Sequence, residues 1–237
     1  MIAVSEQYVL AVPRDALVAA GLVAGFTPPE QALDIIGRAL DAGEFLPRKR
    51  AEHDQSWLQP IPCGLVHSDC RILVLERQEK SKNHRLNRRL VLWAGGHVDF
   101  EDALRGRQDL LPRSLRRELS EELDLKTGSP QLLGVVYDGH SLHFGVVYDV
   151  PALAPKEGTV GASSEFRLSK RTSPSGYFLM LEDLDKRYDQ LEPWSKLILT
   201  EVLGRRHPSS SETSLAQLPL QLIEDPNETG TAAAPVG

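Results

Sequence analysis

The chain contains 237 residues, enough for one well-packed domain with extensions or for two small domains. Hydrophobic residues make up 41% and charged residues 25%, as in ordinary globular proteins. The formal net charge of −6 argues against a general nucleic-acid binder, since such a protein needs a basic surface that displaces counterions from phosphates. The apolar segment 16–26 is too short to span a bilayer. We therefore expect a cytoplasmic protein that acts on a small molecule, with neither a nucleic-acid polymer nor a membrane as partner.

Residues 1–59 are predicted to form an α/β extension that packs on the rest of the chain. Residues 8–12 have the pattern of a strand, and residues 16–24 that of a short helix. The run Thr27-Pro28-Pro29-Glu30 has the form of a capping box, and Gly43 can end the helix that follows. The apolar residues of this helix recur at helical spacing: Leu33, Ile35, Ile36, Ala39 and Leu40. At the level of sequence this extension carries no recognisable chemistry.

Strands are predicted to follow. Residues 61–66 and 70–76 have the pattern of a β-hairpin, and the two cysteines of the chain are expected to be reduced thiols in or near it. The basic stretch 77–89 is either a solvated loop, which we favour, or a patch that steers an anionic substrate. Strand 90–93 then runs directly into Gly95 and Gly96. A glycine pair at this point allows the backbone to approach a phosphate closely.

A predicted helix at residues 111–125 is the most informative segment. Asp109 can cap it, and Pro112 suits its first turn. Its apolar stripe consists of Leu115, Leu119 and Leu123, and a neighbouring face carries Glu118, Glu121 and Glu122. Like charges four residues apart cost about 0.2–0.5 kcal/mol on an isolated helix, and a divalent cation removes this conflict. The alternative is a solvated acidic face, helped by an ion pair between Arg117 and Glu121; the upstream glycine pair favours the metal site.

The remaining pattern predicts strands at 131–137, 143–150 and 177–181 and an amphipathic helix at 192–203. Beyond residue 204, serine, threonine, proline and alanine dominate without periodicity, so we predict a flexible tail at 205–237. Strands on both sides of one central helix indicate an α+β fold, in which a mixed sheet lies between helices as an α/β/α sandwich. The main domain is predicted to span residues 60–204.

The helix and the glycine pair resemble the sequence box of the Nudix hydrolase superfamily. The second half of that box stands here as Arg117-Glu118-Leu119-Ser120-Glu121-Glu122-Leu123-Asp124-Leu125. With the segment Leu191-Glu192-Pro193-Trp194-Ser195, the chain is similar to a bacterial branch of MutT-like phosphoesterases over about residues 61–203. Asp102 occupies the place of the glutamate of the box, but fourteen residues separate it from Arg117 instead of seven, and Asp124 replaces a glycine.

The resemblance implies Mg²⁺ or Mn²⁺ as cofactor and hydrolysis of a diphosphate linkage by metal-activated water. The implied metal ligands are Glu118, Glu121, Glu122 and the carbonyl of Gly95; Glu118, Glu121 and Arg117 would be the catalytic group, with Arg117 orienting a glutamate. Gly96, His97 and Asp102 are candidates for contact with the substrate. The general base stays open between a helix glutamate and a later acid such as Glu157 or Glu165.

Two other interpretations remain at this point. A Nudix-shaped module that binds a nucleotide without cleaving it would explain Asp102 and the lengthened spacing. An isomerase of prenyl diphosphates would need a reactive cysteine in the cleft, and nothing marks Cys63 as activated. His97, His140 and His143 have no zinc-ligand spacing, so we expect them to be polar groups on the substrate side at most. The oligomeric state is open, and a homodimer is compatible with the sequence.

Overall fold

The computed structural model describes residues 6–76, 89–123, 126–153 and 175–204. Several predictions lie outside these residues: most of the basic stretch, the end of the glutamate helix at Asp124, the loop acids Glu157 and Glu165, and the tail at 205–237.

The described strands and helices follow one another along the chain in three groups. The N-terminal group contains β1 (Tyr8–Pro13), α1 (Arg14–Ala19), β2 (Gly25–Thr27), α2 (Pro29–Ala42), β3 (Glu44–Pro47) and α3 (Arg48–Ala51). The central group contains β4 (Trp57–Ser68), β5 (Arg71–Glu76), β6 (Leu90–Val91), β7 (Ala94–Gly95), α4 (Phe100–Ala103) and α5 (Leu110–Glu122). The last group contains β8 (Gln131–Tyr137), β9 (His143–Pro151), β10 (Ser175–Met180), α6 (Leu181–Asp185), a 3₁₀ turn (Tyr188–Gln190), α7 (Pro193–Leu197) and a π turn (Ile198–Val202).

The sheet is mixed, as the sequence predicted. Its main strand order is β10-β5-β4-β9-β8-β2, with β6 paired to β5 and β7 paired to β4. β4 and β9 run parallel over their whole pairing, from Gln59 opposite His143 to His67 opposite Pro151. The other pairs in the sheet are antiparallel. The parallel pair brings the start of β9 beside the start of β4, and it therefore determines where His143 lies.

Helices cover both faces of this sheet. On one face, leucines of α5 and apolar residues of α2 pack in the same buried cluster as Phe144 and Val146 of β9. On the other face, Trp194 and Ile198 pack with Val147. Alternate residues of a strand point to opposite faces, so β9 supplies both cores. This arrangement confirms the predicted α+β class with a sheet between helices.

The N-terminal extension is joined to the core by strand pairing. β1 is antiparallel to β3 and also pairs with the start of β4, where Val12 lies opposite Leu58. β4 runs across the boundary that we predict at residue 60, and that division of the chain stays a prediction. The predicted capping box is wrong, because Thr27 belongs to β2 and the residue that caps α2 is Pro28, whose ring has no polar atom to accept a bond.

Helix α5 also differs from its prediction at both ends. Asp109 precedes it in the left-handed region (φ 56°), and its side chain accepts no capping hydrogen bond from the described residues. The helix ends at Glu122, and Leu123 is already extended (φ −111°, ψ 129°). The predicted strand 90–93 is divided into β6 and β7, which pair with different neighbours. The apolar stripe of leucines is buried, as predicted.

One contact in the sheet predicts a pH-dependent stability. The Nε2 of His67 lies 3.2 Å from the carboxylate of Asp149, and this hydrogen bond raises the pKa of His67 above its usual value despite partial burial. The contact therefore stabilises the fold below about pH 6.5, and its contribution is lost as the pH rises through the raised pKa. We expect the free energy of unfolding of His67→Gln to fall below that of the wild type at about pH 5.5 and to approach it above about pH 8.5. Urea denaturation across this range tests it, and a pH-independent difference would contradict it.

Candidate active site

The glycine loop between β7 and α4 is pressed against helix α5. Gly95 has φ +149°, and a Cβ built on it would lie 2.0 Å from the backbone carbonyl oxygen of Pro62. A Cβ on Gly96 would lie 2.5–2.7 Å from the carboxylate atoms of Glu118. Only glycine satisfies both contacts without a shift of its neighbours. The predicted pairing of the glycines with the acidic helix is therefore a direct contact.

Glu118 is the most enclosed of the three helix glutamates. Its side chain is 16% exposed, and its Oε1 accepts a hydrogen bond of 2.9 Å from Nη1 of Arg117. Burial raises the pKa of Glu118, and the neighbouring guanidinium opposes that effect only in part. The loop and helix thus enclose a carboxylate beside the guanidinium of Arg117.

The other two glutamates have different surroundings. Glu121 is 51% exposed and lies 3.5 Å from Nη1 of Arg117, whereas Glu122 lines the same cavity as Glu118 and the two glycines. Within the described parts of the chain, no three His, Cys, Asp or Glu side chains are gathered closely enough to hold a metal ion. The helix periodicity suggested that the three carboxylates meet at one point, but Glu118 and Glu121 instead both lie beside Nη1 of Arg117.

Arg117 is held from several sides. Its Nε and Nη2 donate to the carboxylate of Asp102 at 2.9–3.3 Å, and its Nη2 donates to the carbonyl of His97 at 3.0 Å. Asp102 is buried, also accepts a 2.7 Å bond from Oγ of Ser114, and closes the first turn of α4 by accepting from the backbone of Asp99. The sequence suggested that Asp102 contacts the substrate, but Asp102 does not line the cavity. It supports Arg117 instead, and the longer spacing is accommodated by α4 and the loop after it.

Asp102→Ala should consequently destabilise the protein by about 2–3 kcal/mol, because Arg117 and Ser114 lose a buried partner. The neighbouring exposed residue offers a matched control, and Glu101→Ala should change the free energy of unfolding by less than about 0.5 kcal/mol. Urea denaturation of the two variants measures the difference. Equal stability of the two variants would mean that the Arg117 contacts contribute little.

A cavity of about 1220 Å³ opens over the glycines and the helix carboxylates. Its apolar lining residues are Ile61, Trp93, Leu191, Pro193 and Trp194. Its polar lining residues, besides the helix carboxylates, include Gln7, Arg48, Glu52, Arg89, His97, His140, Ser141, His143 and Lys196. The volume exceeds that of a typical drug-sized site, so it has room for a diphosphate and for the groups attached to it.

His97 and His143 stand together in this lining, with ring centroids 5.3 Å apart and nearly perpendicular planes. Burial lowers the pKa of His97 to about 3 and also lowers the pKa of His143, so both rings are uncharged at neutral pH. The Nε2 atoms of both are shielded and have no hydrogen-bond partner among the residues described. The cavity is therefore lined by all three histidines that the sequence suggested could lie on the substrate side, namely His97, His140 and His143.

The extension supplies part of this cavity, which the sequence did not predict. Arg48 and Glu52 form an ion pair of 2.7 Å, and Nη1 of Arg48 donates to Oε1 of Gln7 at 2.9 Å. In the sequence, these residues show only an ordinary i, i+4 charge pair. They reach the cavity because β1 packs on the glycine loop. The backbone amide of Leu10 in β1 donates to the carbonyl of Val98 at 2.9 Å.

The segment before α7 has a structural role beside the cavity. Glu192 is buried and accepts hydrogen bonds from the backbone of Trp194 and Ser195 at the start of α7. Its Oε1 also accepts a 2.9 Å bond from Nε1 of Trp93, two residues before Gly95. The hydroxyl of Ser195 in turn accepts from the backbone amide of Leu92. This segment ties the C-terminal helix to the strand that leads into the glycine loop.

Comparisons with known proteins agree with this architecture. No family model matches the chain. It is 24% identical over 209 residues to protein YmaB of Bacillus subtilis (strain 168), covering 82% of this chain and 96% of YmaB. The crystal structure of Tm1382, described as a candidate Nudix hydrolase, matches with a TM-score of 0.67 at 22% identity, covering 83% of this chain and 98% of that one. The chain therefore has the Nudix fold, as its sequence predicted.

None of the described helices has both the length and the hydropathy that crossing a bilayer requires.

Proposed function

We propose that this protein is a Mg²⁺- or Mn²⁺-dependent hydrolase that cleaves a diphosphate linkage in a nucleoside diphosphate derivative or a related compound. The observation that carries the proposal is the contact between Gly96 and the carboxylate of Glu118 in the wall of a large cavity. A side chain at this glycine would fill the space beside the carboxylate. The Nudix fold, shared with a candidate hydrolase, supports the same function.

The chemistry of the donors suits a hard divalent cation. Glu118 and Glu122, with the carbonyl of Gly95, are the groups that would hold it, and Glu121 would join them if its carboxylate turns away from Arg117. Magnesium in phosphate-processing sites is held by one or two carboxylates together with the phosphates of the substrate, so a cage of three side chains is not required. When bound, the ion would neutralise the diphosphate and lower the pKa of a water molecule.

The chain's own residues position the reactants. Gly95 and Gly96 let the backbone approach the diphosphate, while Arg117 fixes the orientation of Glu118 through its bonds to Asp102 and the carbonyl of His97. The attacking water forms a bond to phosphorus, the bridging P–O bond breaks, and the water's proton passes to a carboxylate of the cavity wall. Among the helix glutamates, Glu118 and Glu122 line that wall.

A module that binds a nucleotide without cleaving it is the second candidate. It is favoured by one observation, namely that the described side chains form no three-ligand cage. The two functions differ in turnover and not in binding, so a binding measurement alone does not separate them.

A substrate screen tests the proposal. Nucleotide sugars, dinucleoside polyphosphates, oxidised nucleoside triphosphates and non-nucleotide diphosphates would be incubated with Mg²⁺ or Mn²⁺, and released phosphate products detected. The matched blank is Glu122→Gln, which retains the size of the side chain and should fold but not turn over. Release of product by the wild type alone supports a hydrolase. A ligand-induced rise in melting temperature without turnover of any compound would support the binding module instead.

A further inference from the structure

Glu192 and Ser195 form a small hydrogen-bonded pair at the start of α7, which we call the α7 anchor. We propose that the α7 anchor positions the carbonyl of Gly95, so that Glu192 and Ser195 are positioning residues for the metal site. The inference rests on the proposed function, because this carbonyl is a metal ligand only if the protein binds a divalent cation. The anchor acts on the backbone of the chain and need not touch the cation or the substrate.

The strand that leads into the glycine loop changes its partner halfway. β6 pairs with β5, whereas β7 pairs with β4. Leu92 and Trp93 lie between the two pairings. β7 consists of only 2 residues, so its own pairing with β4 is short. The place of β7 therefore depends on what holds the two residues before it.

The α7 anchor holds both of these residues. The hydroxyl of Ser195 accepts from the backbone amide of Leu92 at 2.9 Å. Oε1 of Glu192 accepts from Nε1 of Trp93 at 2.9 Å, and it also accepts from the hydroxyl of Ser195 at 2.6 Å. Leu92 is fully buried, so its amide requires a partner from the protein interior. The two contacts thus form one unit that fixes the chain immediately before β7.

Capping of α7 does not by itself require Glu192. The side chain accepts from the backbone amides of Trp194 and Ser195, a task that Ser, Thr, Asp or Asn performs at most helix starts. The longer side chain of Glu192 also reaches Trp93, which lies 99 residues earlier in the chain. Glu192 is buried, and burial of a carboxylate is costly unless its oxygens are hydrogen-bonded. A cap alone would not need this buried carboxylate, whereas a link to the glycine loop does.

The glycine loop has little room to absorb a shift of the strand before it. A Cβ on Gly95 would lie 2.0 Å from the backbone carbonyl oxygen of Pro62, and a Cβ on Gly96 would lie 2.5–2.7 Å from the carboxylate atoms of Glu118. Closely packed groups transmit a displacement to their neighbours. Without the anchor, we expect the carbonyl of Gly95 to move relative to Glu118 and the affinity for the cation to fall.

Mn²⁺ binding to the full chain tests the inference, because electron paramagnetic resonance follows this ion without substrate or turnover. Ser195→Ala removes the hydroxyl of the anchor, and Ser195 is not among the described residues that line the cavity. We expect this variant to bind Mn²⁺ about tenfold more weakly than the wild type, as when a contact that supports a metal ligand is removed. Trp93→Phe removes the indole N–H and keeps an aromatic ring, and it should weaken binding in the same direction. It carries the test if Ser195→Ala does not fold.

The control is Ile198→Val, in the π turn that follows α7. Ile198 is buried in the apolar cluster that contains Trp194, and it is not among the described residues that line the cavity. Loss of one methyl group there should lower the melting temperature by about 2–4 °C. Measured where all variants are folded, Ile198→Val should bind Mn²⁺ as tightly as the wild type. A loss of stability alone is thereby separated from a loss of position.

Two results would overturn the inference. Wild-type affinity for Mn²⁺ in folded Ser195→Ala and Trp93→Phe would mean that the anchor only caps α7, and an equal loss in Ile198→Val would mean that any destabilisation has the same effect. Failure of the proposed function looks different. The anchor variants would then still bind Mn²⁺ more weakly than the control, while the wild type releases no product in the substrate screen. If the wild type binds no Mn²⁺, both proposals are overturned.

Discussion

Glu118→Gln is expected to lower kcat for the best diphosphate substrate by about 10³-fold while the protein remains folded. The substitution keeps the size of the side chain and its contacts with Gly96, but it removes the charge that the site presents to a cation and the capacity to accept a proton. Because burial raises the pKa of Glu118, the neutral amide is tolerated in the fold at little cost. Steady-state kinetics with Mg²⁺, beside circular dichroism and a melting curve, measure both parts of this expectation.

The neighbouring glutamates give this experiment its controls. Glu122 lines the cavity, so Glu122→Gln should also reduce kcat by about 10³-fold. Glu121 is largely exposed and turned to Arg117, so Glu121→Gln should cost about tenfold, the range of a residue that supports a ligand. Equal losses in all three variants would mean that Glu121 leaves Arg117 and joins the site. Full activity of Glu118→Gln would contradict the proposed role of Glu118 in the metal site.

The sequence predicted the large elements of this fold for a physical reason. In β9, alternate residues enter different cores, so the strand shows the period of two that Phe144, Val146 and Val147 reveal. In α5, the leucines are buried and Arg116 is exposed, so the helical period is equally plain. β2 has only three residues, too few to show a period. It exists because Thr27 and its neighbours pair with β8, a contact between distant parts of the chain.

The same distinction applies to the candidate site. The glycines and glutamates are neighbours in a short segment, and a helical wheel is enough to bring the carboxylates to one side. The direction of Glu121, however, depends on Arg117, which in turn depends on Asp102 fifteen residues earlier. Arg48 and Glu52 enter the cavity only because β1 docks on the glycine loop. Contacts of that kind leave no periodic trace in the sequence, and the chemistry of the extension could not be predicted from it.

The two glycines should respond to the same substitution in opposite ways. In Gly96→Ala the new Cβ meets the carboxylate of Glu118, the far end of a flexible side chain that can move aside. The fold should therefore persist with a loss of stability below about 1 kcal/mol, while displacement of Glu118 lowers kcat/KM by about 10²-fold. In Gly95→Ala the new Cβ meets the backbone oxygen of Pro62 at 2.0 Å, and φ is +149°. Backbone strain and overpacking together should cost about 3 kcal/mol or more.

Urea denaturation and kinetics on the two alanine variants separate the two roles. If Gly96→Ala is stable but inactive and Gly95→Ala is unstable, the contact of Gly96 with Glu118 serves catalysis. The contact of Gly95 with β4 then serves the stability of the fold. A fully active Gly96→Ala would show that Glu118 works equally well when it is displaced from the loop. The carboxylate would then be positioned by Arg117 alone, and the glycine pair would serve only the turn between β7 and α4.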